Sequence, residues 1–282
     1  MTIVLTAVIA MVVLGILFGV GLALASKAFA VQTDERIEEI LDVLPGANCG
    51  ACGYGGCRAY AEAVVDGEKV SLCTAGAQEA ADMIAEIMGV EAETAAPRRA
   101  VVHCQGGISN CERRADYEGE QDCRAAHITS GGPKACVYGC LGFGTCADAC
   151  PFGAITMSEQ RLPVIDPDKC TACGVCVRVC PRDLISLLDM RYKIYLGCSS
   201  RDSGKAVKSV CSVGCITCGA CAKKDPNGAV TMEGALPMLD YEKAGGDFTV
   251  AAEVCPMNSY VLEAQPEPVA AAASQQQAQE AG

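Results

Sequence analysis

The stretch CVYGCLGFGTCADACPFGAITM, residues 136–157, contains the cysteine spacing that decides the fold. It lies one substitution away from C-x2-C-x2-C-x3-C-P, a run in which cysteine thiolates bind [4Fe–4S] clusters. The residues in register with this run are Cys140, Cys146, Cys150 and Pro151. Phe143 occupies the position of the second cysteine, and an additional Cys136 lies four residues before Cys140. The stretch alone therefore leaves open which residue supplies the missing ligand.

The composition of the whole chain indicates metal ligation rather than disulfides. The 282 residues include 21 cysteines but only two histidines, five phenylalanines and no tryptophan. So little aromatic mass argues against large apolar cores, and the stabilising groups must then be disulfides or metal. An odd count in tight C-x2-C groups suits metal better than long-range bridges. Zinc remains the alternative, but triple C-x2-C runs followed by Cys-Pro fit iron–sulfur clusters better. The formal net charge of −12 argues against nucleic acid as a partner.

The N-terminal segment predicts a single membrane-spanning helix. Residues 3–25 are apolar apart from Thr6 and glycines, which is long enough to cross a bilayer. A cleaved signal peptide is the competing interpretation, because residues 28–30 (Ala-Phe-Ala) resemble a cleavage site, but no basic region precedes the apolar run. Thiolate-bound clusters require a reducing compartment. We therefore expect residues 1–30 to be an uncleaved, single-pass anchor in the cell (inner) membrane, with the cysteine-rich part on the cytoplasmic side.

A small helical four-cysteine domain is predicted over residues 31–88. Ile37, Ile40, Leu41 and Leu44 recur at helical spacing and form one apolar stripe. A glycine-rich loop then supplies three cysteines, and a fourth follows a short helix. The expected ligands of a first [4Fe–4S] cluster are Cys49, Cys52, Cys57 and Cys73, with zinc as the alternative occupant.

The sequence LPGANCGACGYGGCRAYAEAV, residues 44–64, followed by Cys73, resembles the iron–sulfur domain of the B-subunit of the Rnf complex. That complex is a membrane-bound, ion-translocating ferredoxin:NAD oxidoreductase. A related module occurs in corrinoid iron–sulfur proteins. A membrane helix before the domain and ferredoxin motifs after it follow the order of the Rnf protein, and the resemblance covers roughly residues 3–262.

An internal repeat follows a predicted linker, residues 89–100. GAITM at 153–157 recurs as GAVTM at 228–232, and LPVIDPDKC at 162–170 recurs as LPMLDYEKA at 236–244. In the same alignment Cys123, Cys136, Cys140, Cys146, Cys150 and Cys180 correspond to Cys198, Cys211, Cys215, Cys221, Asp225 and Cys255. The repeat predicts two ferredoxin-like units, residues 101–187 and 188–263, and an α+β fold class for the chain.

The two copies differ in a way that indicates how the ligands are shared. In such units the cysteine before proline binds the other cluster, not the one that its own motif begins. A complete set in the first unit is Cys150, Cys170, Cys173 and Cys176. In the second unit Asp225 replaces Cys150 and Ala244 replaces Cys170, so the ligands of that cluster are lost together. The set that remains complete there is Cys215, Cys218, Cys221 and Cys255.

One further site in the first unit contains Cys140, Cys146 and Cys180, and we expect the neighbouring Cys136 to be its fourth ligand. Alternatively, Cys136 belongs to an extra cluster with Cys123, Cys198 and Cys211. Still unassigned are Cys104, Cys111, Cys123, Cys198 and Cys211. Four of these could bind a fifth cluster, or they are small buried residues and spare thiols. The expected cofactor content is four [4Fe–4S] clusters, with five as the alternative.

A series of clusters transfers single electrons, and the sequence contains no dinucleotide fingerprint or catalytic constellation of its own. The resemblance implies an electron-transfer subunit of a translocase. Its implied partners are soluble ferredoxin and the membrane-embedded and flavin-carrying subunits of an Rnf-type complex. The alternatives are an iron–sulfur redox sensor or regulatory membrane protein, and a polyferredoxin of another membrane dehydrogenase. Residues 264–282 are of low complexity and predicted to be disordered.

Overall fold

The computed structural model describes residues 2–28, 34–94 and 96–262. Its first element is the helix α1, Thr2–Ala28. The segment Val4–Lys27 of this helix is long enough and apolar enough to cross a membrane. The large apolar side chains of α1 are exposed, including Leu14, Leu17 and Phe18, as expected of a helix whose solvent is lipid. Most of the suggested cleavage site and the predicted disordered tail lie outside the described residues.

Three short helices form the small domain: α2 (Glu35–Val43), α3 (Cys57–Val65) and α4 (Ala77–Met88). Asp34 caps α2, because its side chain accepts the N–H of Arg36. The apolar stripe predicted for α2 faces inward, with Ile40 fully buried against Val64 of α3 and Ile84 of α4. This core lies directly behind the glycine-rich loop that carries the first three cysteines.

The first ferredoxin-like unit is built from short elements that connect cysteine-bearing loops. They are β1 (Arg98–Val102), α5 (Cys123–Thr129), α6 (Thr145–Asp148), β2 (Ile155–Met157), β3 (Pro163–Ile165), α7 (Val175–Val179) and β4 (Ile185–Asp189). Strand β1 pairs antiparallel with β4, and β2 pairs antiparallel with β3. Because β1 begins at Arg98, the linker predicted for residues 89–100 is shorter than expected. Arg99 is buried, and its guanidinium donates to the Tyr192 carbonyl at 2.9 Å.

The second unit repeats this pairing pattern. Its elements are β5 (Ile194–Leu196), α8 (Gly204–Val210), α9 (Ala220–Lys224), β6 (Val230–Glu233), β7 (Leu236–Leu239), α10 (Tyr241–Ala244), α11 (Thr249–Glu253) and β8 (Tyr260–Leu262). Strand β5 pairs with β8 and β6 pairs with β7, both antiparallel. The first and last strands of each unit therefore pair with each other.

An apolar core fills the part of the second unit where the repeat has lost its cluster ligands. Helices α10 and α11 occupy the segment that corresponds to Cys170–Cys176. Phe248 is buried there and packs edge-on against Tyr241, with ring centroids 5.1 Å apart. Asp225, in place of the cysteine, accepts the N–H of Val230 at 2.8 Å. Apolar side-chain packing and the hydrogen-bonded Asp225 carboxylate thus replace, in the second unit, the thiols found at the equivalent positions of the first unit.

Candidate iron–sulfur sites

The first site is a cavity in the small domain, lined by Cys49, Cys52, Cys57 and Cys73. Gly50 and Gly53 take positive φ values of 69° and 91°, which lets the backbone turn tightly between the first cysteines. The Asn48 side chain accepts the Cys57 N–H at 2.8 Å and fixes the start of α3. These four thiols are the set expected from the sequence.

Tyr60 supports this site from the core. It is almost fully buried, and its hydroxyl donates to the Lys69 carbonyl at 2.9 Å and accepts the Leu72 N–H at 3.2 Å. The hydroxyl therefore holds the backbone that leads to Cys73.

We predict that Tyr60→Phe accelerates loss of this one cluster to an iron chelator. Leaving these buried backbone groups without partners costs about 1–3 kcal/mol, which loosens the approach to Cys73. Absorbance loss under anaerobic chelation measures the rate. Tyr54→Phe is the matched control, because the Tyr54 hydroxyl donates to the exposed Glu68 carboxylate at 2.7 Å. Equal rates in the two variants would contradict this role of Tyr60.

A second cavity is lined by Cys150, Cys170, Cys173 and Cys176, the set expected from the sequence. The Ala100 N–H of β1 donates to the Cys170 sulfur at 3.4 Å. Burial and, to a lesser extent, the neighbouring sulfurs of Cys170 and Cys173 together raise the pKa of the Cys176 thiol to about 12. Four thiolates can be ionised together here only beside a positively charged group such as iron.

The third cavity does not include Cys136, which the sequence prediction had grouped with Cys140, Cys146 and Cys180. It is lined by Cys123, Cys140, Cys146 and Cys180, and Cys136 faces a different cavity. Cys123 begins α5, and its N–H donates to the Thr145 hydroxyl at 2.8 Å, which places it beside Cys146 on α6. Arg182, which also lines this third cavity, donates to the Cys136 carbonyl at 3.2 Å. The long separation in sequence between Cys123 and Cys140 concealed this arrangement.

The fourth cavity, in the second unit, is lined by Cys215, Cys218, Cys221 and Cys255. These are the thiols expected from the sequence. The Ser259 N–H donates to the Cys255 sulfur at 3.4 Å, and in the first unit the Leu184 N–H donates to the Cys180 sulfur at 3.5 Å. The two units therefore present the Cys-Pro sulfur in the same local geometry.

The five other cysteines lie together. A fifth cavity, at the junction of the two units, is lined by Cys104, Cys111, Cys136, Cys198 and Cys211. The sequence had grouped Cys123 with this set and Cys136 with the preceding site, and the structure exchanges the two.

The donor chemistry of the four-cysteine cavities fits iron–sulfur clusters. Among the residues that line them there is no Asp, Glu or His side chain. Within residues 2–28, 34–94 and 96–262, no three His, Cys, Asp or Glu side chains are arranged to hold a single metal ion. Thiols that share a cavity without converging on one point suit a multinuclear cluster better than a lone zinc ion.

A membrane-type helix followed by several four-cysteine sites defines a membrane-associated iron–sulfur electron carrier. Comparison with family profiles agrees: residues 44–75 match the FeS domain, described as an Fe-S cluster domain, and residues 135–184 match the 4Fe-4S dicluster domain.

Curated relatives match most of the chain. The B-subunit of the Na(+)-translocating ferredoxin:NAD(+) oxidoreductase complex of Acetobacterium woodii is 43% identical over 247 residues, which cover 87% of this chain and 74% of the relative. The B-subunit of the proton-translocating ferredoxin:NAD(+) oxidoreductase complex of Clostridium ljungdahlii is 44% identical, covering 82% of each chain. The B-subunit of the ion-translocating oxidoreductase complex of Methanosarcina acetivorans is 38% identical, covering 88% and 94%. The chain belongs to the B-subunit family of Rnf-type ion-translocating oxidoreductase complexes, and its role is electron transfer.

Proposed function

We propose that this chain relays single electrons from soluble ferredoxin, on the cytoplasmic side, to the membrane-embedded and flavin-carrying subunits of its complex. When bound, each [4Fe–4S] cluster supplies one-electron redox chemistry. The proposed ligand sets are Cys49/Cys52/Cys57/Cys73, Cys150/Cys170/Cys173/Cys176, Cys123/Cys140/Cys146/Cys180 and Cys215/Cys218/Cys221/Cys255. We assign NAD reduction and ion translocation to the complex as a whole, because the sequence of this chain contains no dinucleotide fingerprint.

The observation that carries this proposal is the contact between the first two sites. Arg178 donates to the Cys49 carbonyl at 2.7 Å and to the Cys173 carbonyl at 3.4 Å. One guanidinium therefore joins the cysteine loop of the small domain to that of the first ferredoxin-like unit. Burial raises the pKa of the Cys173 thiol, and the nearby Cys49 sulfur adds to the effect. Such proximity between sites is what passage of single electrons requires.

The second and third sites share one core. Helix α6 carries Cys146 and helix α7 carries Cys176, and both sulfurs pack around the buried Ile155 and Ile185. Clusters bound at these two sites, next to the adjacent helices α6 and α7, would exchange electrons within one rigid unit. Three of the four sites thus form a continuous series from the small domain inward.

Rapid reduction by ferredoxin tests the proposed donor. We expect reduced ferredoxin, mixed anaerobically with the full chain in detergent, to bleach the cluster absorbance completely. Arg178→Gln should retain all iron but slow transfer between the first site and the others, because the two loops lose their shared guanidinium. Arg58→Gln is the control, since Arg58 makes an exposed ion pair with Glu38 in the same domain. A wild-type chain with full iron that ferredoxin cannot reduce would refute this donor.

Membrane fractionation tests the proposed location. We predict that the chain sediments with the cell membrane and keeps its N-terminus, because Val4–Lys27 forms an apolar span next to cofactors that need a reducing compartment. N-terminal sequencing and protease protection measure both properties. A mature chain that begins after residue 30, or a cysteine-rich part digested from the periplasmic side, would contradict the prediction.

A further inference from the structure

We propose that a fifth [4Fe–4S] cluster is bound between the two ferredoxin-like units by Cys104, Cys136, Cys198 and Cys211. This inference rests on the proposed function. It adds a cluster between the three connected sites and the Cys215 site of the second unit. The first unit contributes two of these cysteines and the second unit contributes the other two. The site therefore exists only when the units are docked.

The four thiols are related by the approximate two-fold symmetry of the repeat. Cys104 lies two residues after β1, and Cys198 lies two residues after β5. The Cys140 N–H donates to the Cys104 sulfur at 3.3 Å, and the Ser200 N–H donates to the Cys198 sulfur at 3.5 Å. The structural counterpart of Cys198 is thus Cys104, not Cys123 as the sequence alignment suggested. An insertion between β1 and Cys136 in the first unit explains the difference.

Cys136 and Cys211 form the second symmetric pair. Each lies four residues before the first cysteine of its own unit's site, Cys140 and Cys215. A symmetric set of four thiols, two from each unit, matches the four corners at which a cubane is ligated.

The backbone holds the two units together around this cavity. The Gln105 N–H donates to the Gly197 carbonyl at 3.0 Å, and the Ser199 hydroxyl donates to the His103 carbonyl at 3.0 Å. On the other side Cys111 and Cys211 form an antiparallel β-bridge. The loops that carry the four thiols are therefore fixed to each other and not only to their own units.

Two glycines leave room beside the sulfurs. A Cβ atom at Gly106 would lie 3.3 Å from the Cys211 sulfur and 3.8 Å from the Cys104 sulfur. A Cβ atom at Gly139 would lie 3.5 Å from the Cys136 sulfur and 3.7 Å from the Cys104 sulfur. Three of the four sulfurs thus surround a space from which side chains are absent.

Two cations donate to backbone carbonyls of residues that line the cavity, and one of them, Arg182, also lines the third cavity. Lys134 is almost fully buried, and its ammonium donates to the Gly106 carbonyl. Arg182 is half-buried and donates to the carbonyls of Cys136 and Gly139. Buried cations are costly unless negative charge lies nearby. An oxidised cubane with four thiolates is a dianion and provides that charge.

Cys111 is the fifth thiol in the cavity, and we assign it a supporting role. It is more deeply buried than the other four, and its S–H donates to the Glu112 carbonyl at 3.7 Å. The symmetric pairs formed by the other four thiols leave it without an equivalent position among the proposed ligands.

Iron analysis of single variants of the full chain tests the site. We expect about twenty iron atoms in the wild-type chain and about sixteen in both Cys104→Ser and Cys198→Ser, since each cubane holds four. Loss of the same EPR signal in both variants would exclude local unfolding of one unit, because the two cysteines belong to different units. Cys111→Ala is the matched control from the same cavity: it should keep all iron and every EPR signal, because Cys111 is not one of the four proposed ligands.

Wild-type iron and EPR signals in either Cys104→Ser or Cys198→Ser would overturn the proposal, as would cluster loss in Cys111→Ala alone. Failure of the proposed function is distinguishable, because it would appear in the wild-type chain as full iron without reduction by ferredoxin. If the junction cluster links the units, Cys198→Ser should still accept electrons at the small domain but deliver them more slowly to the Cys215 site.

Discussion

Cys123→Ser is expected to lose the cluster of Cys140, Cys146 and Cys180, about four iron atoms per chain. The reason is positional: Cys123 is the thiol that α5 and Thr145 hold in that cavity. Iron and acid-labile sulfide, measured on anaerobically purified protein, give the size of the loss. Low-temperature EPR identifies the missing signal.

The matched comparison is with Cys136→Ser. Both Cys123→Ser and Cys136→Ser are also prepared as double variants with Phe143→Cys. Phe143 corresponds in the repeat to Cys218, so a cysteine there rebuilds the C-x2-C-x2-C run and can replace Cys123 as fourth ligand. Phe143→Cys should therefore rescue Cys123→Ser. It should not rescue Cys136→Ser, whose thiol faces the junction cavity. Rescue of Cys136→Ser with none of Cys123→Ser would reverse the assignment.

Removal of iron is expected to unfold the first ferredoxin-like unit. Among the described residues, the core cluster shared by two sites in that unit is small, with Ala100, Val102, Ile155, Cys176 and Ile185 buried. Such a core is too small to offset the conformational entropy of the chain, so cluster binding supplies the folding free energy. Far-UV circular dichroism during anaerobic chelation measures the loss.

The second unit provides an internal control for this experiment. Its C-terminal part has a larger apolar core, in which Phe248 is buried against Tyr241 and Ala251. Amide hydrogen exchange should therefore show α11 protected after α7 has lost protection. Simultaneous loss in both helices would contradict this account of the second unit. Stoichiometric zinc without charge-transfer absorbance in the native protein would refute the cluster assignment for the whole chain.

Much of the architecture could be predicted because its determinants are local in sequence. The apolar span of α1, the stripe of α2 and the three-cysteine loops each fall within a few turns of chain. Cys49, Cys52 and Cys57 come from one loop, and so do Cys170, Cys173 and Cys176. Ligands that share a loop can be grouped by spacing alone, and the structure places each of these groups in one cavity.

The sequence expectations and the structure differ where the residues that meet are distant in sequence. Cys136 lies four residues from Cys140, and proximity favoured it over Cys123. The first three residues of β1 fell within the predicted linker 89–100, because a five-residue strand that pairs with the distant β4 has no local signal. Likewise Cys104 had no visible partner, since the elements that meet beside it come from the other unit, far along the chain.

By itself the sequence determined the class of the protein, an anchored iron–sulfur electron carrier, and the number of complete cysteine motifs. It did so because ligand spacing, apolar length and repetition are properties of contiguous chain. Only the tertiary structure decided which thiols share a cavity: it places Cys123 with Cys146, and Cys136 with Cys211 from the other unit. That choice depends on strand pairing and on the hydrogen bonds of Thr145 and Arg182, which act between segments that sequence spacing cannot relate.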